Sequence, residues 1–263
     1  MNEQPVPAKT TEPGEGSLRA LVVDWGGVLT PPLDATIADW ARRDRVQYSH
    51  FREVMRAWVG ARPGPPEGQG ADGPGPGEHV VADVEQAADP GPAENSPVHR
   101  LERGEMSVCR FEQLLATELA LRGSSVEPAG LLDRMFEDFK VLDDAMVALV
   151  RRAHAAGLRT ALLSNSWSDD HYPEALFDGL FDAVVISGQV GMRKPEARIY
   201  QHTADLLRLP TSACVMVDDL PHNVRAAAAT GMVAVLHTRY ETTLTELEIL
   251  FGVSLSATSQ GAG

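Results

Sequence analysis

Cysteine, positive charge and long apolar runs are all scarce in this chain. Only Cys109 and Cys214 occur, far apart in sequence. That excludes a disulfide framework and fits a reducing cytoplasm, where we expect the protein to reside. Lysine and arginine number 23 against 37 aspartates and glutamates, a formal charge of −14. Phosphate backbones need a basic surface, so nucleic acid is excluded as a natural partner. The same field repels anionic small molecules at long range, so a site for one needs local positive groups or a metal. No apolar run approaches the roughly 18 residues of a membrane span. The opening segment MNEQPVPAKTTEPGEGS is polar and holds no apolar stretch, so residues 1–17 read as a disordered tail and not a signal peptide.

What is present suits a globular protein. The 263 residues allow one large domain or one domain with a smaller one inserted, and 43% hydrophobic content provides for a sizeable core. Residues 18–24 read as a short buried strand. Residues 33–59 read as two helical pieces with Trp40, Phe51, Val54, Met55 and Trp58 among the apolar positions. Composition then breaks. Residues 61–97 hold eight prolines and seven glycines, too little apolar surface to fold, and read as a flexible insertion. Helical patterning resumes with Ser107 as an N-cap and Phe111, Leu114, Leu115 and Leu119 on one face, then again over 127–139.

From residue 143 the pattern changes. DDAMVALVRRAHAAG is a helix with acids first, arginines late and Gly157 as its stop. Short apolar strands at 158–164, 181–187, 213–219 and 232–237 alternate with helices at 195–207 and 221–231. This alternation predicts an α/β fold, a parallel sheet covered on both faces. Ligands of such sheets bind beyond the carboxyl ends of the strands.

Polar residues stand where those strands end: Asp24, Ser164, Asp218 and Asp219. Carboxylates that converge past buried strands repel one another unless a cation lies between them, and hard oxygen ligands suit Mg²⁺. Lys194, in the glycine-led loop GMRKPEARIY, supplies a compact positive charge. Ser164 and Asn165 offer donors to phosphate oxygens, and Gly26 and Gly27 let the backbone pass close to a ligand. The set suits attack of an aspartate on phosphorus.

Four runs in order, VVDWGGVLT, LLSNS, GMRKPEARIY and VMVDDLPHNVRAAAATGM, resemble the motifs of the haloacid-dehalogenase-like hydrolase superfamily. LERGEMS (101–107) and GMRKPEARIYQH further resemble its bacterial sugar-1-phosphate phosphatases and the N-terminal phosphatase domain of soluble epoxide hydrolases. The resemblance implies a Rossmann-like sheet of order 3-2-1-4-5, formed by residues 18–30 and 141–252. It implies an inserted helical cap over 31–140, with 253–263 as a second disordered tail. It implies Asp24 as nucleophile, Lys194 steadying it, and Ser164 on phosphate. Mg²⁺ would be held by Asp24, the Gly26 carbonyl, Asp218 and Asp219, with Asn223 in support. The substrate would be a small phosphorylated metabolite, and the protein a monomer or homodimer.

One position departs from the family pattern. Gly26 stands where a second aspartate commonly serves as general acid and base, so metal binding and attack are retained while proton transfer is weakened. His222 is a nearby proton source, although a simple helix-start residue is the plainer reading. Two other functions stay open: a metal-independent dehalogenase, and a catalytically weak scaffold that binds a phosphometabolite or a protein.

Overall fold

The computed structural model describes residues 17–59, 96–167, 172 and 177–256. The N-terminal tail up to residue 16, the insertion up to residue 95, and residues 257–263 lie outside the described residues.

Five strands form one parallel sheet in the order β3-β2-β1-β4-β5, as expected. The strands are β1 (Ala20–Val23), β2 (Arg159–Ser164), β3 (Ala183–Ile186), β4 (Cys214–Asp218) and β5 (Val233–Leu236). β1 is central: Val23 aligns with Leu162 on one side and Val217 on the other. Its residues are apolar on both faces because both faces are covered. Leu21 and Val23 join the core layer under helix α6 (Asp144–Ala155), while Ala20 and Val22 join the layer under α8 (Ala197–Leu207).

Local chemistry sets the element ends. Asp143 caps α6, its Oδ1 accepting from Ala145 N and Met146 N at 2.9 Å each. Gly157 ends the connection with φ +88. Pro221 opens α9 (Pro221–Ala229). The last helix, α10 (Tyr240–Phe251), ends at Gly252.

The described residues between β1 and α6 form a helical layer with its own apolar cluster. It contains α1 (Leu33–Arg43), α2 (Tyr48–Val59), α3 (Pro97–Glu102), α4 (Val108–Leu121) and α5 (Leu131–Met135). Trp40, Phe51, Phe111, Leu115, Leu119 and Leu132 are at its centre. Ser107 caps α4 as expected, accepting from Arg110 N at 3.3 Å. The chain leaves and re-enters the sheet region at one place, where Asp143 N donates to Leu29 O at 2.8 Å.

Several boundaries differ from the sequence expectation, three of them with a clear local cause. The helix expected over 127–139 shrinks to α5 followed by a 3₁₀ turn at Glu137–Lys140, because Gly130 takes a left-handed conformation (φ 67) and starts the helix late. The strand expected to reach residue 187 stops at Ile186, and Ser187 opens a short helix, α7 (Ser187–Val190). The C-terminal tail begins later than residue 253. Leu255 is fully buried, and Glu248 Oε1 accepts from Leu255 N at 2.7 Å and Ser256 N at 2.8 Å.

Candidate active site

The site grows from the carboxyl edge of the three middle strands. Asp24 directly follows β1, and its N–H still donates to Val217 O at 3.0 Å. The backbone is thus held in the sheet at the point where the carboxylate emerges. Oδ1 of Asp24 accepts from Trp25 N at 2.6 Å and faces Lys194 Nζ at 2.8 Å. Asp218 ends the neighbouring strand β4. Its Oδ2 accepts from Lys194 Nζ at 2.7 Å, its Oδ1 from Leu220 N at 2.9 Å, and Asn223 Nδ2 lies 3.1 and 3.2 Å from the two oxygens. Lys194 is only 1% exposed, so its charge is committed to these two aspartates.

Asp219 makes the balance unequal. Oxygens of Asp24, Asp218 and Asp219 all lie within 4.8 Å of one another. A single ammonium cannot neutralise three carboxylates so placed. Their acidities show the conflict. Burial, with Asp218 beside it, pushes Asp24 up to about 7 despite Lys194. Burial and then Asp218 and Asp24 hold Asp219 well above the usual carboxylate range. Burial works against the Lys194 ammonium, but Asp218 and Asp24 outweigh it and raise its pKa. Asn223 Oδ1 is also buried here with no hydrogen-bond partner. A cluster of hard oxygens with uncompensated negative charge and an unfilled acceptor fits a divalent cation such as Mg²⁺.

The other expected residues take more particular places. Gly27 (φ +70) is required by Asp219: a Cβ there would sit 2.1 Å from Asp219 Oδ2. The space its absent side chain leaves is taken by that carboxylate. Asn165 clamps the Lys194 peptide, donating from Nδ2 to Lys194 O at 3.0 Å and accepting at Oδ1 from Lys194 N at 2.8 Å. This ties the loop after β2 to the lysine loop, so the Asn165 amide helps to place Lys194. Gly26 is half-buried and is not among the glycines with positive φ. Asn223 holds Asp218, and its own carbonyl accepts from the Tyr200 hydroxyl at 3.1 Å. His222 lies in the first turn of α9, half-buried. Cys214 and Trp25 are core residues.

Ser164 has a neighbour that sequence reasoning missed. Its Oγ lies 2.8 Å from the Tyr172 hydroxyl. Burial, partly relieved by Ser164, pushes that phenol up to about 12. The Tyr172 ring packs on Trp25 with centroids 5.2 Å apart. Tyr172 stands eight positions after Ser164 in the chain, and no periodic pattern announces the meeting.

A five-stranded parallel sheet with an aspartate after the first strand, a buried lysine and an acidic pair after the fourth defines a hydrolase of the haloacid dehalogenase class. The family model for haloacid dehalogenase-like hydrolases matches residues 18–231, and the chain belongs to that family. It is similar to enolase-phosphatase E1 of Bradyrhizobium, 30% identical over 226 residues that cover 82% of this chain and 86% of the relative. It is similar to bifunctional epoxide hydrolase 2 of Rattus norvegicus, 28% identical over 172 residues covering 59% of this chain. The match spans 31% of that longer relative. Among solved structures, a family enzyme of Bacteroides thetaiotaomicron in complex with magnesium superposes with a TM-score of 0.51 at 16% identity, covering 84% of this chain and 94% of the other. That likeness shows the fold.

Proposed function

We propose that the protein is a Mg²⁺-dependent phosphatase of a small phosphorylated metabolite, with a sugar phosphate as the leading candidate. The observation that carries this reading is the triad Asp24, Asp218 and Asp219 around one buried lysine. The phosphatase relative and the magnesium-bound structural neighbour support it. We read residues 31–140 as a cap over the site that selects the substrate.

Asp24 attacks phosphorus. An oxygen–phosphorus bond forms to its carboxylate, and the bond to the leaving oxygen breaks. Lys194 favours the ionised form of Asp24 and orients it for that attack. Ser164 donates to a phosphoryl oxygen. Water then attacks phosphorus, freeing Asp24 and inorganic phosphate. Asp24, Asp218, Asp219 and the Gly26 carbonyl would hold the cation. Bound there, it offsets the charge of the carboxylates and of the phosphoryl oxygens. Gly26 brings no side chain to protonate the leaving oxygen, so groups that depart easily as anions react best.

The test is release of nitrophenol from p-nitrophenyl phosphate, with Mg²⁺ and with EDTA, by the wild type and by Asp24→Asn. Turnover that needs the metal and falls about 1,000-fold or more in the variant supports the reading. Metal-independent turnover of a haloacid would favour the dehalogenase reading, which leaves the third carboxylate without purpose. Absence of any turnover in a folded, Mg²⁺-binding protein would favour a weak scaffold, for which Gly26 is the motivating residue.

A further inference from the structure

The LERGEMS run is not absorbed by the catalytic site, yet it meets the site's supports. Glu102, the last residue of α3, is 3% exposed. Its Oε1 accepts from Trp167 Nε1 at 3.1 Å, and its Oε2 is bonded to Arg193 Nε. Arg193 is 7% exposed and immediately precedes Lys194. Trp167 lies two residues beyond Asn165, with its ring edge-on to Phe111 and Phe136 of the helical layer. A single carboxylate therefore joins three segments: the helical layer, the loop after β2 and the lysine loop.

Neighbouring contacts tighten the same seam. Arg103 reaches Glu196 at 3.3 Å. Gly104 (φ +70) lies so close to α7 that a Cβ would stand 2.5 Å from Gly188 O. Ser187 in turn accepts from Ser166 N at 2.8 Å. Buried ion pairs are weak evidence of stabilisation, because apolar residues of similar volume hold such places as well or better. An apolar pair cannot accept from two loops at once.

We infer that Glu102 is a positioning residue: its two oxygens hold the Trp167 and Arg193 loops at one separation, and through the Asn165–Lys194 clamp they set where the lysine ammonium stands. The helical layer thereby fixes the site it faces. The kinetic consequence rests on the phosphatase reading; the structural consequence does not.

The experiment compares wild type, Glu102→Gln and the double variant Glu102→Met with Arg193→Met. Amide hydrogen exchange, melting temperature and p-nitrophenyl phosphate kinetics are measured on each. In Glu102→Gln, the amides of Ser166 and Lys194 are expected to exchange about tenfold faster or more, while those of Val22 and Val217 keep their protection. The kcat is expected to fall about 100-fold, with KM changing less than about threefold. The double variant regains the melting temperature but neither the protection nor the kcat. Unchanged exchange in Glu102→Gln overturns the inference, as does a double variant whose protection and kcat return with its melting temperature. If the single variant does not fold, the double variant alone decides. If the wild type itself shows no turnover, the phosphatase reading fails and the exchange result still decides the role of Glu102.

Discussion

Two groups of buried charge stand on either side of Lys194, and they differ in balance. On one side, three carboxylates share one ammonium, and burial with mutual repulsion raises Asp24 and Asp219. On the other, Glu102 and Arg193 match one to one, and a tryptophan N–H takes the remaining carboxylate oxygen. The matched pair is complete within the protein and serves to hold loops. The unmatched cluster keeps a surplus of negative charge, which a proton or a bound cation would relieve.

The comparison breaks most sharply at Gly27. Gly27→Ala places a methyl group against Asp219 Oδ2 and strains a left-handed backbone position. Asp219 must swing away, and Mg²⁺ affinity by calorimetry is expected to fall about 100-fold. Unchanged affinity would mean Asp219 does not contribute to holding the cation.

Gly26→Asp sharpens the catalytic side. Position 26 is outside the left-handed region, so a side chain is compatible with its backbone. The added carboxyl supplies the missing acid. Turnover of alkyl phosphates is expected to rise about 10- to 100-fold, and that of p-nitrophenyl phosphate much less, because nitrophenolate leaves without a proton. Equal gains on both substrates would count against a proton-transfer role for this position.

The smallest effect is in pH. Asp24 titrates near 7 in the metal-free fold, above the ordinary carboxylate value that it has when unfolded. Between those values the folded chain binds more protons than the unfolded one, so metal-free stability falls as pH rises toward and through 7. A bound cation displaces that proton. The gain in melting temperature from Mg²⁺ over EDTA is therefore expected to grow by a few degrees from pH 5.5 to 8. A gain that is flat with pH would remove Asp24 from the cation site.

Much of this was readable from the chain. Parallel strands buried on both faces must be continuous apolar runs, so LVV before Asp24 and CVMV before Asp218 identify themselves, and their ends locate the carboxylates. Lys194 was readable from its loop and motif. The partners were not. The chain does not announce that the Asn165 amide bonds the Lys194 peptide, 29 residues away in sequence. Nor does it announce that Asp219 fills the space beside Gly27.

The sequence by itself therefore determined the sheet, its helices and the presence of an acidic site at the strand ends. Period, capping residues and runs of like polarity are local, and local rules read them. Tertiary structure alone decided which oxygens share Lys194, that Tyr172 meets Ser164, and that Glu102 joins the helical layer to the lysine loop across 91 residues. Those pairings depend on how three packed layers bring distant loops within 3 Å or so of one another, the reach of a hydrogen bond, and no periodicity in the chain encodes that distance.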